Sequence, residues 1–135
     1  MLVELISKGY GNDEDLNCAE KILRGANQSY NLGLDLKAFK LAAGFGGGMG
    51  IGSVCGAVTA SIMVLGELFV KEKAHEGTKI KELTQEFIGR YQTEMGDYLC
   101  DPLKAKYRTE ELKCHVILLK AAEILDEIVQ REGLK

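Results

Sequence analysis

Four cysteines are the residues of this chain whose side chains could carry redox or metal chemistry. They are Cys18, Cys55, Cys100 and Cys114, widely separated in the sequence, and none belongs to a C-x-x-C pair. A thiolate is a nucleophile toward disulfides and oxidants, and it is also a soft ligand for zinc and iron–sulfur clusters. Because the local signature of thioredoxin-like sites and zinc fingers is missing, joint chemistry requires a fold that gathers distant positions.

Helix positions favour thiolate formation at two of these cysteines. Ser53 is predicted to cap a helix whose second residue is Cys55, where unpaired backbone amides and the helix dipole stabilise a thiolate. Cys18 lies in the early part of its own predicted helix. We therefore expect Cys55 to be the nucleophile and Cys18 to resolve its mixed disulfide, while other pairings of the four cysteines stay open.

The sequence predicts helices almost throughout the chain, and these helices must position the four cysteines. Apolar residues recur at steps of three and four, and Pro102 is the only proline. We expect an all-α protein, a single compact bundle of about five main helices in one domain over residues 1–135. The first predicted helix is 2–8, and the second begins near 13–15 and ends at 33. The others are 35–43, 53–71, 78–95 and 109–131, with Asp35, Ser53 and Thr109 as caps.

The stretch 41–66 carries no charge, which suggests a membrane span. The glycine run 44–52 within it, followed by a predicted helix start, suggests a phosphate-binding loop. The first half of the stretch is rich in glycine, and the densely apolar part, 54–65, is too short to cross a bilayer. The glycine run contains no G-K-[ST] and no in-frame G-x-G-x-x-G, and no strand is predicted before it. We interpret the region as a glycine-rich loop in front of a central buried helix.

The composition of the chain indicates which classes of partner and which cellular compartment to expect. The formal charge of −3 and the absence of a Lys/Arg run argue against nucleic-acid binding. The low cysteine density, and Glu4 within the N-terminal apolar stretch, favour the reducing cytoplasm. The expected partner is a redox protein, a small thiol or an oxidant, and the sequence leaves open whether the chain forms a homo-oligomer.

Residues 55–60, with the sequence CGAVTA, carry a resemblance to a known family. One cysteine lies well upstream of this segment and two lie downstream, and the glycine-rich approach 46–52 and the continuation 62–66 extend the likeness. The chain resembles the family of proposed redox-active proteins named for its C_GCAxxG_C_C cysteine pattern. The resemblance implies a small bacterial or archaeal helical protein with thiol redox or metal-centre chemistry, and it marks Cys18, Cys55, Cys100 and Cys114 as the functional set.

Three functions compete at this level. The first is a thiol/disulfide redox protein, a thiol-dependent oxidoreductase if it is an enzyme, which needs no cofactor. The second is a binding protein in which Cys18, Cys55, Cys100 and Cys114 hold zinc or an iron–sulfur cluster. The third is a helical interaction module whose cysteines pack as small hydrophobic side chains.

Overall fold

Seven α-helices form the part of the chain that the computed structural model describes, residues 1–133. They are α1 (Leu2–Ser7), α2 (Cys18–Tyr30), α3 (Leu36–Lys40), α4 (Gly56–Phe69), α5 (Lys79–Met95), α6 (Cys100–Tyr107) and α7 (His115–Glu132). The described residues contain two isolated antiparallel bridges and no strand. The all-α prediction is confirmed, and the expected number of about five main helices is wrong. Residues 134–135 of the predicted domain 1–135 lie outside the described residues.

Helix α4 is the buried centre of the molecule, as predicted. It packs most extensively against α2 and also contacts α5 and α7, while α1 packs against α7 and α2. Its small side chains Ala57, Val58 and Ala60 are fully buried, and the buried Ser61 hydroxyl donates to the Ala57 carbonyl at 2.7 Å. Over the described residues, no helix has both the length and the apolar character needed to cross a membrane.

The start of α4 is set by a tertiary contact. Ser53, the predicted cap, instead belongs to an extended segment whose carbonyl accepts from the Cys100 amide at 2.6 Å. The Cys55 amide donates in turn to the Tyr98 carbonyl at 2.9 Å. Cys55 is therefore the N-cap of α4 and not its second residue, and the Ser53 cap is wrong.

The start of α2 is set by a capping box. Asn17 accepts a hydrogen bond from the Glu20 amide, and the Glu20 carboxylate accepts from the Asn17 amide, both at 2.9 Å. The helix therefore begins at Cys18 and not near residues 13–15. It ends where Asn31 adopts a left-handed conformation with φ of 54°.

Helix α6 is absent from the sequence prediction, and it contains Pro102, the only proline of the chain. Proline is tolerated in the first turn of a helix because its missing N–H would have no intrahelical partner there. Thr109, predicted to cap the last helix, instead accepts from the Leu112 amide at 3.0 Å within a turn. The last helix begins later than predicted, with Cys114 as the N-cap of α7.

A buried carboxylate on α7 fixes the position of α1. Asp126 is only 6% exposed, and it accepts from the backbone amides of Leu2 at 3.0 Å and Val3 at 2.9 Å. It also accepts from the Tyr30 hydroxyl at 2.5 Å, which ties the end of α2 to the same point. One side chain therefore satisfies donors from two other helices.

We expect Asp126→Ala to lower the free energy of unfolding by about 2–3 kcal/mol, because it removes the acceptor of three donors. Tyr30→Phe removes one donor and leaves the carboxylate bound to two amides, so we expect a loss of about 1 kcal/mol. Urea unfolding of both variants measures the difference. A loss in Asp126→Ala no larger than that in Tyr30→Phe would contradict the assigned role of the carboxylate.

Candidate functional site

All four cysteines stand at the amino-terminal end of a helix. Cys18 and Cys100 are the first residues of α2 and α6, and Cys55 and Cys114 are the N-caps of α4 and α7. Unpaired amides and the positive end of the helix dipole favour negative charge at such positions. The four side chains are free thiols in the structure.

Cys18 and Cys114 form a coupled pair although they lie near opposite ends of the sequence. A hydrogen bond between their side chains raises the pKa of Cys18, and burial raises it further. The same hydrogen bond lowers the pKa of Cys114, and the positive charges of Arg108 and Lys104 lower it further, to about 6. The pair therefore favours a thiolate at Cys114 over one at Cys18.

Cys55 and Cys100 are the two buried cysteines, 3% and 6% exposed. Burial raises the pKa of Cys55 to about 11, although the amides of Ala57 and Val58 donate to its sulfur and lower the pKa. Burial also raises the pKa of Cys100. The expectation that the start of α4 gives Cys55 a lowered pKa is therefore wrong, because desolvation outweighs the amides.

The extended segments that precede α4 and α6 pair with each other, and they carry Cys55 and Cys100. The pairing is centred on an antiparallel bridge between Val54 and Leu99. Successive residues of extended segments point to opposite faces, so Cys55 and Cys100 share the face opposite the bridged residues. The negative charge of Cys55 raises the pKa of Cys18, and the charges of Cys100 and Cys114 raise the pKa of Cys55. The fold thus gathers the four sulfurs into one neighbourhood.

The glycine-rich segment packs between the helix starts that carry the cysteines. A Cβ at Gly48 would lie 2.7 Å from the Cβ of Cys100, and one at Gly46 would overlap the side chain of Asn17, the cap before Cys18. The absence of side chains at these positions lets the loop backbone approach the cysteine-bearing helices closely.

A cavity of about 510 Å³ opens onto the coupled pair. Cys18 and Cys114 both line it, together with the segment before α2, the end of α6 and the turn before α7. Both cysteines are half-buried, and His115 of the first turn of α7 lies beside them on the cavity wall. The two buried cysteines are not part of this wall.

The comparison with protein families agrees with the cysteine arrangement. The family model described as "Putative redox-active protein (C_GCAxxG_C_C)" matches residues 16–128, a range that covers most of the chain and all four cysteines. The chain belongs to this family. The resemblance noted from the sequence is thereby confirmed. No curated protein and no solved structure matches the chain significantly.

The metal-binding alternative requires a set of ligands close together. Within residues 1–133, no group of three or more His, Cys, Asp or Glu side chains is arranged to hold a metal ion. Among these residues, the side chains are therefore not arranged as a ligand set for zinc or an iron–sulfur cluster.

Two residues of the cavity wall, Lys104 and Arg108, are absent from the sequence prediction. They lie four positions apart, at the end of α6 and at its C-cap, and a helix brings such positions to one side. The four-residue spacing of two basic residues indicates a shared helix face only where a helix is predicted. The sequence predicts no helix over residues 100–107. The approach of Lys104 and Arg108 to Cys114 depends on how α6 and α7 pack, which local sequence does not specify.

Proposed function

We propose that this protein is a thiol/disulfide redox protein in which Cys114 is the nucleophile and Cys18 the resolving cysteine. The observation that carries the proposal is that Cys18 and Cys114 line the wall of one cavity together with the cations Lys104 and Arg108. The lowered pKa of Cys114 supports its role as the nucleophile. The family description supports redox activity in general terms. Compared with the expectation from sequence, Cys114 replaces Cys55 as the attacking group.

The first step is attack by the Cys114 thiolate on one sulfur of a disulfide R–S–S–R′. A bond forms between the Cys114 Sγ and that sulfur, the R–S–S–R′ bond breaks, and R′–S⁻ leaves. The R′–S⁻ group takes the proton of Cys18 and departs as a thiol. The protein is left with a mixed disulfide at Cys114 and a thiolate at Cys18.

The second step is attack by the Cys18 thiolate on the Cys114 Sγ. The disulfide Cys18–Cys114 forms, R–S⁻ leaves, and it takes a proton from water. Two electrons have passed from the protein pair to the disulfide, and the reverse sequence oxidises a partner dithiol.

The order of the two steps follows from the coupling of the pair. The interaction with Cys114 is the largest cause of the raised pKa of Cys18. Once Cys114 is bound in a mixed disulfide, its negative charge is gone and this cause is removed. Cys18 is therefore activated only after Cys114 has reacted.

Mapping of the first disulfide formed tests the proposal. The reduced protein is treated with one equivalent of a small disulfide, its remaining thiols are alkylated, and the digest is analysed by mass spectrometry. We expect the Cys18–Cys114 link to dominate, with Cys55 and Cys100 alkylated. A dominant link through Cys55 would overturn the assignment. Stoichiometric zinc or iron in protein purified without oxygen would overturn it in favour of the metal-binding alternative.

A further inference from the structure

We propose that the cavity beside Cys114 binds small disulfides whose substituents carry carboxylates. The inference rests on the proposed redox function, and it adds the class of substrate. It follows from three features of the cavity wall: its charge, its size and the place of the charges relative to the reacting sulfur.

The cavity is a positive region on an acidic protein. The chain carries a formal charge of −3, yet basic side chains outnumber acidic ones on the cavity wall. The charged groups that line it are Lys21, Lys104, Arg108 and Lys113 against Asp15 and Glu111. Over the described residues, none of the four basic groups forms a salt bridge. Lys104 and Arg108 act on the Cys114 sulfur, and the remaining positive charge of the wall is available to an anion that enters the cavity.

The size of the cavity suits a small molecule. Its volume of about 510 Å³ lies within the range of ligand pockets, roughly 300–1,000 Å³. The wall is concave, and it includes apolar side chains of Leu16 and Leu118 beside the basic groups. A disulfide with short polar substituents can place its sulfurs at Cys114 while its ends reach the wall.

The positions of the charges connect binding with reaction. Lys104 and Arg108 line the same cavity as Cys114, so these cations lie close to the place that the substrate disulfide must occupy. A carboxylate on the substituent pairs with a guanidinium or an ammonium during the attack. The same cations stabilise the negative charge that develops on the leaving sulfur. An ammonium on the substituent would instead be repelled at each stage.

Disulfides that differ in charge test this specificity. The reduced protein is reacted at pH 7 with 3,3′-dithiodipropionate, which is anionic, 2-hydroxyethyl disulfide, which is neutral, and cystamine, which is cationic. Each rate constant is divided by that of 2-mercaptoethanol with the same disulfide, which removes differences in intrinsic reactivity. We expect the corrected rate for the anionic probe to exceed that for the cationic probe by about tenfold or more, and the ratio to fall with added salt.

Charge-removing variants locate the effect in the cavity. Arg108→Gln and Lys104→Gln should each reduce the anionic-to-cationic ratio, whereas Lys37→Gln, at an exposed position of α3 outside the cavity, should leave it unchanged. A change in the ionisation of Cys114 alters all three rates together and cancels in the ratio. Equal corrected rates for the three probes, with the Cys18–Cys114 disulfide still formed, would overturn the substrate class alone. Failure of every probe to form that disulfide would overturn the redox function and the substrate class with it.

Discussion

A Cys114→Ser variant consumes a small disulfide at pH 7 at least about a hundredfold more slowly than the reduced wild-type protein does. The reason is that Cys114 is the one cysteine whose pKa is lowered, to about 6, and it lines the cavity. Cys55, with a pKa of about 11 and 3% exposure, cannot replace it, because its thiolate is rare and shielded. Stopped-flow or quenched assays with one disulfide in excess measure the rate.

A Cys18→Ser variant separates the two chemical steps. It retains the attack by Cys114 but has no resolving thiol, so a mixed disulfide accumulates and raises the mass of the intact protein by one substituent. Cys55→Ala is the control, because it removes a buried thiol and leaves the pair on the cavity wall in place. If Cys55→Ala abolished disulfide consumption while Cys114→Ser retained it, the assignment of the nucleophile would be refuted.

A Gly48→Ala variant loses about 2–5 kcal/mol of unfolding free energy. Gly48 has φ of +63°, a conformation that costs an L-residue roughly 1–2 kcal/mol. The added Cβ would also lie 2.5 Å from the Ser53 amide nitrogen and 2.7 Å from the Cβ of Cys100. Because the first clash is with backbone, relief requires movement of the loop, at a further cost of about 1–3 kcal/mol.

Gly50→Ala is the matched control for this effect. Gly50 has φ of +73° in the same segment, but no neighbouring atom lies within 4 Å of the position of its Cβ. Its substitution therefore carries the conformational cost without the clash, about 1–2 kcal/mol. Urea or thermal unfolding compares the two variants. Equal losses would contradict the close approach of the loop backbone at Gly48 to Ser53 and Cys100.

Features with a local cause could be predicted from the sequence. Helix α5 lies within one residue of the predicted range 78–95, because Gly96 ends it in the left-handed conformation that glycine favours. Asp35 caps α3 as predicted, with its carboxylate accepting from the Ala38 amide at 3.1 Å. The central position of α4 could also be predicted, because a helix that is apolar on most sides is buried on most sides.

Features that depend on tertiary contacts could not be predicted in this way. Ser53 has the chemistry of a cap, but its pairing with the residues before α6 moves the start of α4 to Cys55. The low pKa of Cys114 arises from a partner far away in the sequence, Cys18, and from a cation on another helix segment, Arg108. The cysteine pattern predicted the family, and packing decides that Cys114 is the cysteine whose pKa is lowered.

The pH dependence of alkylation at each cysteine most directly tests whether Cys114 is the thiolate of the site. The reduced protein is treated briefly with iodoacetamide between pH 5 and 9.5, quenched and digested, and modification at each cysteine is quantified by mass spectrometry. Below its pKa of about 6 Cys114 is mostly protonated and unreactive, and at pH 7 roughly nine-tenths of it is thiolate.

We predict a midpoint near pH 6 for Cys114 and far slower modification of Cys18, Cys55 and Cys100 over the same range. Because a thiolate of low pKa is intrinsically less nucleophilic, Cys114 should react roughly tenfold faster than free cysteine at pH 6 and more slowly than free cysteine at pH 9. A Cys114 midpoint at the value of free cysteine, about 8.5, or faster modification of Cys55, would contradict the assignment.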